Sequence, residues 1–135
     1  MVKNEQLKEK QLFPVGEANV AYQDFFVGQS YLSMLVSEPD VNVGVGNVTF
    51  EPGCRNNWHI HHAGYQILLV TGGEDWYQEE GKAAQHLVPG DVIVTKDGIK
   101  HSHGATKDSW FSHVAITAGT PEWLEAVSNA LYDAL

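Results

Sequence analysis

His59 and His61 stand two residues apart, and Gln66 follows after the stretch His62-Ala63-Gly64-Tyr65. Residues two apart on an extended chain share a face, so both imidazoles point the same way. The glycine-containing stretch is long enough for a tight hairpin, and an antiparallel return through it brings Gln66 back beside the pair. Leu68 and Val70, in step with Gln66, then line the same interior. Imidazole nitrogens and an amide oxygen held at strand ends are donors that a divalent transition metal takes. His101 lies far along the chain, just after a turn at Gly98, and needs another strand to bring it close.

Short strands must position these groups. Thirteen glycines and five prolines, with many Val, Tyr, Phe and Trp, favour strands and turns over helices. Strands are expected over 25–28, 31–36, 41–51, 58–61, 65–71, 75–79, 85–88, 92–95 and 110–117. Turn signals such as Glu38-Pro39-Asp40, Gly72-Gly73, Glu80-Gly81-Lys82 and Pro89-Gly90-Asp91 separate them. That spacing predicts an all-β sandwich or barrel. Tyr65–Thr71 is apolar on both faces and should be buried on both sides. Val41, Val43 and Val45 occupy one face and Val48 and Phe50 the other, so a bulge is expected near Gly44 and Gly46. Thr120 as N-cap, Pro121 in first position and an apolar stripe of Trp123, Leu124, Val127, Leu131, Ala134 and Leu135 predict a C-terminal helix over 121–134. Residues 1–24 read as an N-terminal arm, the first dozen frayed or forming a short surface helix.

The 135 residues make one domain, 43% hydrophobic and able to bury a core without staples. A formal net charge of -9 excludes nucleic acid and anionic membrane surfaces as partners. The single cysteine, Cys54, reads as a small packed hydrophobe. Met1–Gln11 has no apolar signal-like run, and no stretch approaches the ~20 apolar residues of a membrane span. A cytoplasmic protein is expected.

The pattern Gly53-x5-His59-x-His61-x4-Gln66-x6-Gly73 resembles the first cupin motif, and Gly90-x5-Lys96-x-Gly98-x2-His101 resembles the second. With flanking strands the resemblance covers about 41–117. The phrases Val48-Thr49-Phe50-Glu51-Pro52-Gly53, Gln66-Ile67-Leu68-x-Val70 and Lys100-His101-x-His103-Gly104-Ala105 are similar to small bacterial single-domain cupins, a group that includes manganese-dependent hydroxynitrile lyases. The resemblance implies a double-stranded β-helix, or jelly-roll barrel. It implies one divalent transition metal held by His59, His61, Gln66 and His101: Mn first, with Zn, Fe, Ni or Co as alternatives. It implies further that His113 matches the histidine proposed as base in those lyases. This chain departs from the wider family in having Gln66 where most members have Glu, Lys96 where Pro is usual and Ala105 where Asn is usual. The stretch before Gln66 is also one residue longer than in the lyases.

His103 shares a strand face with His101. It is placed, with Trp58 and Tyr65, behind the ligands or in the pocket wall; His62 and His86 are expected at the surface. The competing reading of His113 is a packed core imidazole. Three function classes remain open: a metal-dependent lyase acting on a small hydroxy or carbonyl compound, an oxygen-dependent cupin acting on an enol or phenol, and a non-catalytic binding or sensing module. Exposed sheet edges need protection, which predicts a homodimer.

Overall fold

The structure is a computed structural model and describes residues 11–135. The arm or helix expected over the first dozen residues lies outside that range except at its end. The sheet begins earlier than expected, at β1 (Glu17–Ala18), followed by a 3-10 turn at Gln23–Phe25, β2 (Phe26–Val27) and β3 (Ser30–Val36). Gln11 and Pro14 are already tied to it: the Gln11 side chain donates to Thr49 Oγ1 (3.4 Å) and Asn47 Nδ2 donates to the Pro14 carbonyl (3.0 Å). Within the expected arm, Glu17–Ala18 thus joins the sheet and the chain enters the 3-10 turn at Gln23, the remaining residues being irregular.

Then come β4 (Gly44–Phe50), β5 (Arg55–Asn56), β6 (His59–Gly73), β7 (Asp75–Glu79), β8 (Gln85–Leu87), β9 (Val92–Thr95), β10 (His101–Ala105), β11 (Phe111–Trp123) and the helix α1 (Asn129–Asp133). Every pairing is antiparallel. The order β1-β3-β4-β11-β6-β10-β5-β2, with β9 on β6 and β7-β8 on β10, curls one sheet into a jelly-roll barrel. Phe50, Leu68, Val70, Tyr77, Leu87, Ala105, Phe111 and Ala115 fill it together with Cys54. Cys54 is thus a core residue, and burial pushes its thiol up to about 12. No helix among the described residues is long and apolar enough to cross a membrane.

Three local expectations are corrected. The irregularity near Gly44 and Gly46 is present, but the extra residue sits on β3, where Met34 opposes Gly46 and Val36 opposes Val45. The hairpin before Gln66 is absent: β6 runs unbroken along β11 from His59 to Gly73. Finally, the helix is not 121–134. Thr120, Pro121 and Trp123 end β11 opposite His62, His61 and His59, and Ser128, whose side chain accepts from Leu131 N (3.1 Å), caps a helix of five residues. The pairing of β11 with β4 stops at Thr117 opposite Gly44, while its pairing with β6 continues. Pro121 therefore lies where the strand has a neighbour on one side only, a position that tolerates proline.

Candidate metal centre

β6 solves a phase problem. His59 and His61 are odd-numbered and Gln66 is even, so a regular strand would set them on opposite faces. Between Tyr65, opposite Ala118, and His62, opposite Thr120, β6 carries one residue more than β11. Ala63 absorbs it at φ 56, and Gly64 packs so closely that a Cβ there would lie 2.0 Å from the Ala118 carbonyl oxygen. This bulge flips the alternation, so His59, His61 and Gln66 are all buried inside the barrel. β10 completes the set, with His101 directly opposite His59.

One ligand atom from each of His59, His61 and His101 lies within 4.8 Å of the others. His59 Nδ1 donates to the Asn57 carbonyl (2.8 Å) and His101 Nδ1 to the Ile99 carbonyl (3.0 Å). Those bonds leave each Nε2 with a bare lone pair. His61 is buried with neither ring nitrogen hydrogen-bonded, a cost of about 1–3 kcal/mol per orphaned group that metal coordination would offset. Gln66 Nε2 donates to Thr117 Oγ1 (3.1 Å), which turns its Oε1 toward the cluster, 3.4 Å from His101 Nε2. Burial holds His59 well below the usual imidazole range, with the neighbouring His101 adding to the effect. Burial also lowers His61, with the adjacent Gln66 amide partly opposing it, and pushes His101 down to about 4. Three neutral imidazoles and one carboxamide oxygen, all buried, fit a divalent transition metal.

A cavity of about 300 Å³ opens onto this cluster. His59, His61, Gln66, His103 and His113 contribute polar groups to a wall otherwise made by Phe26, Leu32, Met34, Val48, Phe50 and Trp123 among others. His113 stands beside His103 (ring centroids 4.9 Å) and edge-on to Phe50 and Phe111. Its Nδ1 is buried without a partner, and burial pushes its pKa to about 3. His103 is held well below the usual range by burial, and then by His113 and His59. Asn56 fixes it, accepting from His103 N (3.0 Å) and turning its amide nitrogen toward the ring.

Trp58 and Tyr65 do not line the cavity. Trp58 packs with Val127 and Tyr132 in a satellite cluster under the C-terminal segment, and Tyr65 is exposed. His62 and His86 lie at the surface paired with Glu122 and Glu74. Asn56 and Trp123 are among the cavity residues that escaped the sequence reading. Asn56 carries no motif signal of its own. Trp123 was absorbed by the helical stripe, although the strand pattern of 110–117, simply prolonged past Gly119, would have reached it.

A buried three-histidine cluster inside a jelly-roll barrel defines a class, and residues 46–116 match the cupin domain family; the chain belongs to it. It is 40% identical over 114 residues to an (R)-mandelonitrile lyase from Granulicella tundricola, a match covering 81% of this chain and 86% of that protein. Among solved structures it is similar to a cupin-like protein from Thermotoga maritima, at 38% identity and a TM-score of 0.85, covering 92% of this chain and 96% of that one. A predicted oxalate decarboxylase from the same organism, at 19% identity and a TM-score of 0.68 over 77% of this chain and 93% of that one, shares the fold.

Proposed function

We propose that this cupin is a mononuclear metal-dependent lyase that splits a small hydroxynitrile into a carbonyl compound and cyanide. The observation that carries the reading is the convergence of His59, His61 and His101 beside a cavity that His59 and His61 line and that also presents His113. His59, His61, Gln66 and His101 would hold the ion, with manganese first among the candidates. A divalent cation there supplies Lewis acidity toward a substrate oxygen, undiminished by any ligand carboxylate. Asn56 and His103 shape the wall beside His113. The apolar side chains exclude water and receive the organic substituent.

His113 supplies the proton acceptor. Its neutral imidazole takes the hydroxyl proton at the ring nitrogen that faces the cavity, the C–C bond to the nitrile carbon breaks with its electron pair leaving on cyanide, and the carbinol oxygen becomes a carbonyl. An imidazole pushed to about 3 is a poor store for a proton at neutral pH, by ~5 kcal/mol. His113 therefore hands the proton on to the departing cyanide, a much stronger base, and returns neutral. The 40% identity to a mandelonitrile lyase supports this reading.

Mandelonitrile turnover by the manganese-loaded protein tests it, followed as benzaldehyde release. His113→Ala is expected to lower kcat by at least ~100-fold while manganese content stays equal. Absence of turnover sinks the activity, and an undiminished rate in the variant removes His113 as base. Metal analysis of tag-free protein decides the ion.

We propose also that two copies pair through the outer face of the sheet. Val94, Ile67, Ile116 and Val45 lie in one row across β9, β6, β11 and β4, with Val92 and Leu69 beside them. None is charged, and Val92 and Val94 are 59% and 54% exposed. Copies that each carry a net charge of -9 approach most favourably through an uncharged face.

A further inference from the structure

Trp123 ends β11 directly opposite His59. Its indole lies on the His59 imidazole, with ring centroids 4.6 Å apart and planes 31° from parallel. Phe25 also stacks on the indole, almost parallel, at 4.8 Å and 5°. Trp123 thus joins a ring of the 3-10 turn to the histidine cluster.

The backbone around the stack is tied to the same histidine. Leu124 N donates to the Trp58 carbonyl (2.8 Å) and Trp58 N to the Glu125 carbonyl (3.0 Å). The Asn57 side chain donates to the Leu124 carbonyl (3.2 Å), while the Asn57 carbonyl accepts from His59 Nδ1 (2.8 Å). Asn57 thus links the orientation of His59 to the end of β11.

A single hydrogen bond at Nδ1 fixes one corner of an imidazole but lets the ring rock about that contact. A flat surface against the ring face stops the rocking. Rocking would swing Nε2 out of line with His61 and His101. Resting on the metal-centre reading above, we propose that Trp123 is a positioning residue for that centre: stacked with Phe25, it holds the His59 ring in the plane that aims Nε2 at the other ligands. Phe25 and Trp123 lie far apart in the sequence, so the clamp exists only in the folded chain.

The test is metal affinity rather than turnover. The chelator-stripped full-length chain is titrated with Mn(II), free ion being read from its EPR signal, and visible spectra are recorded for the Co(II)-loaded forms. Loss of an outer partner of a metal-bound histidine typically costs ~10–100-fold in affinity, so Trp123→Leu should fall in that range while Trp123→Phe, which keeps an aromatic face, stays within about threefold of wild type. The Co(II) spectrum should change in the leucine variant and be retained in the phenylalanine variant. Thermal unfolding in chelator confirms that each protein is folded. Wild-type affinity and an unchanged spectrum in folded Trp123→Leu overturn the proposal, as does a Trp123→Phe protein as impaired as Trp123→Leu. If Trp123→Leu does not fold, Phe25→Leu decides: it removes only the ring stacked with the indole, and wild-type Mn(II) affinity there overturns the clamp. A wild-type chain that binds neither ion removes the metal-centre reading itself, and the inference with it.

Discussion

Gln66 combines a carboxylate's reach with a neutral side chain. Held by Thr117 and turned toward the histidines, it offers an oxygen while leaving a divalent ion its full charge. Gln66→Glu is therefore expected to tighten Mn(II) binding by at least ~10-fold, because attraction between opposite charges at contact is worth several kcal/mol even at an effective dielectric near 20. Turnover of mandelonitrile should fall in the same variant, since a partly neutralised ion polarises oxygen less. Equilibrium dialysis and initial rates check the two effects separately. His113 carries a pH signature. Its imidazole titrates near 6.5 when exposed and only at about 3 in the fold. Between those values the unfolded chain binds the extra proton, so the stability is complete above pH 6.5 and drains away as pH falls toward 3. The buried Asp75 carboxyl, raised well above its usual range by burial, has the opposite sign and weakens the fold as pH rises. In metal-free protein, denaturant titrations from pH 6 to 4 should show stability falling with pH, because the lowered His59, His61, His101 and His103 act in the same direction as His113 and outnumber Asp75. His113→Leu should flatten that slope by up to ~1.4 kcal/mol per pH unit.

At the scale of elements, the bulge in β6 is the decisive feature. Sequence spacing showed that His59, His61 and Gln66 belong together and that something irregular lies between them, but it suggested a hairpin. Only the pairing partner shows the difference, because β11 accompanies β6 on both sides of Ala63–Gly64. Gly64→Ala would drive a methyl group into the Ala118 carbonyl. The expected loss is at least ~2 kcal/mol of stability, accompanied by weakened Mn(II) binding as Gln66 moves relative to the histidines. Thermal denaturation and metal titration of the same preparation would register both. The strand end at Thr120–Trp123 makes the same point. Its residues suit a helix start, yet the ladder to His59–His62 outweighs that local preference.

For the whole molecule, the question is what covers the outer face of the sheet. The core lies on the inner side, and the apolar row from Val94 to Val45 on the outer side has more than half of Val94 exposed, with Ile67, Ile116 and Val45 partly so. If two copies meet there, size-exclusion chromatography with light scattering should give twice the chain mass at micromolar concentration. Val94→Glu, which places like charges across a symmetric contact, should give the monomer. A monomeric wild type would remove the pairing.

The residues that could bind a metal, the β character of the chain and its cupin membership were legible in the sequence, because donor type, alternation and motif spacing are local properties. Which face each donor takes, how far β11 runs and what stands against His59 were not. Those depend on register and on rings brought together from distant parts of the chain: a single residue inserted into β6 at Ala63–Gly64 reverses the side chains from Gln66 to Val70, and only the neighbouring strand reveals the insertion.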